Sequence, residues 1–260
     1  QGALLPNTSF EIFVQAFNVS GTSDSAVIST YTFANQPSAG SFAGVTTGQV
    51  VINWNINSNN VNTLYYAELS TNASHLPVQN NSGWVNATYF AVNALSANVT
   101  YFAQVKARNA NNIETVFTEL NSTATLARAP VVTLWSVFDL NVTSITARWT
   151  DNSNSTGTLY HLEFATSTDL AGAVTSSDTF VLTASSISLT PNTSYAFRVQ
   201  AVNHSGLRTN FAASEATCTL TALPVLNSPN FSMSDLGISS VTIQWQSNGN
   251  PLNTTLYRIQ

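Results

Sequence analysis

The sequence predicts a row of all-β sandwiches made from copies of one module. Three observations lead there. First, LLPNTSFEIFVQAFNVSG (4–21), LSANVTYFAQVKARNAN (95–111) and LTPNTSYAFRVQAVNHSG (189–206) are the same segment written three times, about ninety residues apart. Second, apolar and polar residues alternate with period two, the signature of strands with one buried face, and no convincing stretch has helical period. Third, each short run ends in Asn, Gly, Ser or Pro, the punctuation of an all-β sandwich.

Each module element can be placed in order. Val50-x-Ile52-x-Trp54, Ile145-x-Ala147-x-Trp149 and Val241-x-Ile243-x-Trp245 are alternating strands that end on tryptophan, so Trp54, Trp149 and Trp245 are core markers. Phe42, Trp135 and Phe231 match one another just before these strands and are assigned to the core as well. A Leu-Tyr pair follows each tryptophan, at Tyr65, Tyr160 and Tyr257, and alternation resumes as in Tyr160-x-Leu162-x-Phe164. In the repeated segment Tyr195, Phe197, Val199 and Ala201 face one way, with Tyr101 and Phe10 equivalent to Tyr195. Copies meet at FANQP (33–37), LARAP (126–130) and LTALP (220–224). Such short, proline-ended links restrict the hinge and predict a semi-rigid linear array.

Composition narrows the function. Hydrophobic residues make up 43%, with 14 Phe, 8 Tyr and 5 Trp, enough for a core, whereas charged residues are only 7%. Ordinary soluble domains carry about 25%. With a net charge of −5 and Lys106 as the single lysine, no basic patch is available for phosphate backbones, which argues against nucleic acid. No run of eighteen apolar residues predicts a membrane-spanning helix. One cysteine, Cys218, makes no intrachain disulfide, so stability must come from packing.

The tryptophan strand, the tyrosine strand, and Leu-x-Pro-x-Thr-x-Tyr running into Val-x-Ala-x-Asn resemble fibronectin type III domains across the whole chain. The resemblance implies tandem seven-stranded Greek-key β-sandwiches, with Trp on strand B, Tyr on strand C and a tyrosine corner before strand F formed by Tyr101 and Tyr195. Phe10 lacks the hydroxyl, and Ala97 replaces the proline found at Pro6 and Pro191. No Arg-Gly-Asp tripeptide is present. The low charge and the Asn/Ser/Thr/Ala composition resemble long bacterial surface repeat proteins. The expected division is a partial module at 1–36 (strands F and G), full modules at 37–129 and 130–223, and a partial module at 224–260 (strands A to C). Either the chain is a window on a longer repeat protein, or its two ends complete each other between neighbours by strand addition.

No catalytic, metal or cofactor constellation is expected. His75, His161 and His204 lack partners at ligand spacing, and Cys218 lacks a nearby base. Asp139, Asp151 and Asp235 sit among turn residues rather than in a calcium loop. Trp84 has no counterpart; its alternative roles are packing and stacking on a sugar ring. The candidate modification sites are the Asn-x-Ser/Thr sequons at Asn7, Asn18, Asn72, Asn80, Asn86, Asn98, Asn121, Asn141, Asn154, Asn192, Asn203, Asn230 and Asn253. They exceed the roughly 7 or 8 that chance placement gives, although loops favour these residues anyway. Sheet edges with almost no charge to guard them predict self-association, contact with other surface proteins, or shielding by glycans. The sequence therefore reads as a non-catalytic stalk, fibre or coat segment of an extracellular or cell-surface protein. The alternative is an adhesin-like or carbohydrate-binding array that uses the loops at the sandwich ends.

Overall fold

The computed structural model describes residues 4–134, 136, 139–166, 175–227 and 235–260. No α-helix forms among them. The chain divides into two compact units: Gln1–Leu126 with Asn203–Ser205, and Ala127–Val202 with Gly206–Gln260. Trp135, Phe231 and Asn230, assigned above from sequence, lie outside the described residues.

The first unit opens with β1 (Ser9–Ile12), β2 (Gln15–Asn18), β3 (Gly21–Asp24) and β4 (Ile28–Tyr31). β1 pairs antiparallel with β4 and β2 with β3, so the segment is one long hairpin broken at Phe13 and Val14. A sandwich follows. β5 (Ser38–Ala43), β6 (Val50–Asn55) and β9 (Tyr89–Val92) form a three-stranded sheet in the order β5-β6-β9. β7 (Leu64–Ser70), β8 (Asn80–Val85), β10 (Thr100–Arg108) and β11 (Thr118–Ala124) form the facing sheet, in the order β11-β10-β7-β8.

Alternation decides which face is buried. On β10, Tyr101, Ala103, Val105 and Ala107 are buried while Phe102, Gln104, Lys106 and Arg108 are not. They meet Val50, Ile52 and Trp54 from β6 and Tyr65, Ala67 and Leu69 from β7. Each fully buried large apolar side chain contributes about 1.5–3 kcal/mol. β5 approaches β6 so closely at Gly40 that a Cβ there would lie 2.5 Å from the Asn53 carbonyl oxygen, so no other residue fits without moving backbone.

The second unit repeats the plan. β12 (Val131–Val132), β13 (Ile145–Thr150) and β16 (Thr183–Ser186) form the three-stranded sheet, in the order β12-β13-β16. β14 (Leu159–Ala165) lies between β15 (Thr175–Thr179) and β17 (Ser194–Val202), and β17 carries β18 (Ala212–Ala213) and β19 (Thr217–Cys218) on its other edge. The core is Ile145, Ala147 and Trp149 against Tyr160, Leu162, Phe164, Tyr195, Phe197, Val199 and Ala201. β20 (Val225–Leu226) then pairs with β21 (Trp245–Gln246). Residues 257–260, where alternation predicts a strand, form none. β7 and β14 are held in register by a long strand on one side, and no such partner strand pairs with 257–260.

Candidate functional site

The most strongly repeated constellation is at the junctions, not on a sheet. Three and five residues after each tryptophan marker stand two asparagines: Asn57 and Asn59, Asn152 and Asn154, Asn248 and Asn250. Asn59 donates from Nδ2 to the Asn35 carbonyl (2.8 Å) and accepts on Oδ1 from the Asn35 amide (2.7 Å). Asn154 does the same to Arg128, at 2.8 and 2.7 Å, and Asn250 to Ala222, at 2.7 and 2.8 Å. The other asparagine of each pair takes the next carbonyl: Asn57 that of Gln36 (2.8 Å), Asn152 that of Ala129 (2.9 Å), Asn248 that of Leu223 (2.9 Å). Two successive linker peptides, each just before the junction proline, are thereby clasped.

Asparagine suits this loop for a local reason. Asn57, Asn152 and Asn248 have φ of 49°, 52° and 53°, in the left-handed region that Asn tolerates better than other side chains with a Cβ. The clasp rests on the core. Asn59 sits beside the Tyr65 hydroxyl, and the Tyr65 ring packs on Trp54 with centroids 5.9 Å apart. Trp149–Tyr160 and Trp245–Tyr257 repeat that contact at 5.8 and 5.5 Å. Burial pushes the Tyr65 and Tyr160 phenols above their ordinary value. The buried Tyr65 hydroxyl finds no well-aligned hydrogen bond.

A second latch joins this loop end to the repeated segment. Asn7, Asn98 and Asn192 are left-handed at φ 46°, 53° and 46°. Asn7 donates to Thr63 Oγ1 and Asn192 to Thr255 Oγ1, both at 2.9 Å. Asn7 Oδ1 accepts from the Ala110 amide (2.9 Å), and Asn98 Oδ1 from the His204 amide (2.8 Å). Asn60 donates to the Asn7 carbonyl. Asn109 reaches the Thr32 carbonyl (3.1 Å) and Asn203 the Thr125 carbonyl (3.2 Å). Tyr101 and Tyr195 brace the same loop, their hydroxyls accepting from the Ser96 and Thr190 amides at 3.1 Å each. Thr125 and Thr219 pin it from the last strand, each donating at 2.7 Å to a loop carbonyl, of Ser96 and Thr190.

Residues 130–217 match the family model described as the fibronectin type III domain. This segment is a fibronectin type III domain. The sandwich of β5–β11 shows the same plan, its three-stranded sheet facing four strands where the matched segment has five, and the described residues form tandem all-β sandwiches. Among solved structures, a two-domain fibronectin type III segment of chicken tenascin is similar over 71% of this chain and 100% of its own, at 14% identity and a TM-score of 0.48. The FN1–FN3 domains of chicken CNTN1 are similar over 84% of this chain and 77% of their own, at 18% identity and a TM-score of 0.33. No curated protein matches. Fibronectin type III domains occur in extracellular and cell-surface proteins as structural or adhesion modules.

The outer faces of the larger sheets gather several of the rare charges. In the first unit Lys106 Nζ lies 4.8, 5.4 and 5.6 Å from the rings of Phe117, Tyr66 and Trp84, and pairs with Glu114 at 2.6 Å. Arg108 stacks on Trp84 at 4.4 Å, so that ring already has a cationic partner. Gln104 bonds Glu68 alongside. In the second unit Arg198 lies 4.3 Å over Phe211 and pairs with Glu163 at 2.6 Å. His161 lies 2.6 Å from Asp178 and 3.3 Å from Glu163. Burial pushes the Glu163 carboxyl up, but the hydrogen bonds and charges of Arg198 and His161 outweigh it and hold the group below its ordinary value.

The remaining sequence candidates are placed as follows. Trp54 and Trp149 are buried and Trp245 is half-buried. His75 is buried 2.8 Å from Glu119, and His204 is exposed. Asp139 is buried and bound by Arg148 at 2.6 Å and by the Ser136 amide at 3.0 Å. Asp151 accepts from the Ser153 amide, and Cys218 is an exposed thiol. No group of three metal-ligating side chains occurs among the described residues. Of the sequon asparagines, Asn7, Asn98, Asn154 and Asn203 are buried, Asn80 and Asn192 half-buried, and Asn18, Asn72, Asn86, Asn121, Asn141 and Asn253 exposed. Sequence reasoning missed Asn57, Asn59, Asn152, Asn248 and Asn250; their constant distance from the tryptophan was the signal.

Proposed function

We propose that this chain is a non-catalytic spacer segment of an extracellular or cell-surface repeat protein, a stalk, fibre or coat component whose work is to hold its junctions in a fixed geometry. One observation carries the reading: Asn59, Asn154 and Asn250 each bond both the amide and the carbonyl of the linker residue that precedes the junction. A mobile linker has no use for a buried clasp repeated three times, since each ordered residue costs about 1–2 kcal/mol of backbone entropy. The modules are 37–129 and 130–223, flanked by partial ones at 1–36 and 224–260. Self-association, and contact with other surface proteins, follow from sheet edges with little charge to guard them. The adhesin-like alternative needs free loops at the sandwich ends; the loops after each tryptophan strand are engaged in the clasp, which leaves it the exposed turns at Asn72, Asn86 and Asn141.

The test is ¹⁵N relaxation at residues 35–36, 128–129 and 222–223, just before each junction proline. The spacer reading expects order parameters equal to those of the flanking strands, about 0.85, and values below about 0.6 at all three links overturn it.

A further inference from the structure

We propose that the fold sorts the sequons into two chemical classes. Asn72, Asn86, Asn121, Asn141 and Asn253 accept N-linked glycans, whereas Asn7, Asn98, Asn154 and Asn203 are joint residues that carry none. The reaction joins Asn Nδ2 to the anomeric carbon of a polyprenyl-diphosphate-linked sugar. The carbon–oxygen bond to the diphosphate breaks, the lipid diphosphate leaves with the electron pair, and the amide nitrogen gives up one proton. The acceptor nitrogen therefore needs an N–H that faces open space wide enough for a sugar ring.

The four joint asparagines lack that space. Their exposures are 2%, 0%, 6% and 4%. Asn7 Nδ2 is spent on Thr63, that of Asn154 on the Arg128 and Asp151 carbonyls at 2.8 Å each, and that of Asn203 on the Thr125 carbonyl. A sugar attached there before folding would occupy the joint itself, so a chain so modified could not close it.

Asn203 and Asn72 make the point as a pair. Both turn Oδ1 onto the amide two residues on, Ser205 at 3.1 Å and Ser74 at 2.9 Å. Asn203 is buried with its Nδ2 bonded to the Thr125 carbonyl, while Asn72 lies in an exposed turn. The two sequons share this turn and differ in what the fold has built around the nitrogen.

Glycosylation in the cell rests on the extracellular reading above; which asparagines accept does not. The experiment therefore imposes the compartment, by secreting the whole chain from a glycosylating eukaryotic host. The folded monomer is treated with a glycan-releasing amidase in ¹⁸O water, which converts each formerly glycosylated Asn to labelled Asp, and its peptides are weighed. Label is expected among the five exposed positions and absent from the four buried ones. Label at Asn7, Asn98, Asn154 or Asn203 in folded protein overturns the proposal, as does its absence from all five exposed sites. A second arm uses unglycosylated bacterial protein. Ser205→Ala destroys the sequon but keeps the amide, and is expected to leave the urea midpoint unchanged. Asn203→Asp removes the donor and is expected to lower that midpoint. Equal midpoints for the two variants refute the joint role. Surface labelling of intact cells tests the extracellular reading by itself.

Discussion

The junctions and the outer sheet faces follow opposite rules. At the junctions the same atoms meet three times, with distances that differ by about a tenth of an ångström. On the faces, equivalent strands hold a cation over an aromatic ring with different residues: Lys106 among three rings in one sandwich, and Arg198 over Phe211, chained to Glu163 and His161, in the other. A hydrogen bond to a neighbouring peptide needs one geometry, so its donor and acceptor cannot drift. A solvated face needs only to stay polar enough, so its residues can. What is held constant here is how each linker is gripped, and what varies is what each module shows to its surroundings.

Four measurements sharpen or break that contrast. The largest effect belongs to the floor of the clasp. Trp149→Ala removes a buried ring packed on Tyr160 and is expected to cost about 3–5 kcal/mol in urea unfolding, with Trp54→Ala equal to it. A clearly unequal pair would mean the copies are not equivalent even in their cores. Next comes the clasp. Asn154→Ala leaves the Arg128 amide and carbonyl without their partner and is expected to cost about 1–3 kcal/mol. It should also speed tryptic cleavage after Arg128, and an unchanged cutting rate would show that the clasp does not hold the linker.

The faces should respond less, and differently from each other. The folded Glu163 carboxyl titrates below its unfolded value, so its contribution is complete above the unfolded pKa and is lost as pH falls through the folded one. Glu163→Gln should therefore flatten the acid limb of the stability curve of that sandwich; an identical curve in the variant would assign the acid sensitivity elsewhere. Lys106→Ala, the smallest change, is expected to cost about 1 kcal/mol or less and to shift the fluorescence of Trp84. A loss as large as that of Asn154→Ala would erase the distinction between joint and face.

The sequence made the sandwiches legible because burial on a strand has a period of two, and Trp54, Trp149, Tyr101 and Tyr195 mark fixed points on it. The clasp was hidden by composition. In a chain this rich in Asn, Ser and Thr, an asparagine that grips a linker looks like any turn residue, and its partner lies some two dozen residues away. The same ambiguity made every sequon look equivalent, since burial of Asn98 and exposure of Asn121 are decided by what packs around them. The Lys106 cage needs the register that sets Lys106 beside Tyr66, and Tyr66 beside Trp84, across three strands. The absence of a strand at 257–260 reflects pairing rather than pattern: alternation supplies a face, but only a neighbouring strand supplies hydrogen bonds.

In each clasp, the gripping asparagines and the linker they hold are separated by less than a third of a repeat, so they travel together as one stretch of sequence. A gene coding for such a chain can lengthen or shorten by whole copies, and every new boundary arrives with its own fastening already encoded. Reach can change by recombination alone, without any residue having to be reinvented at the splice.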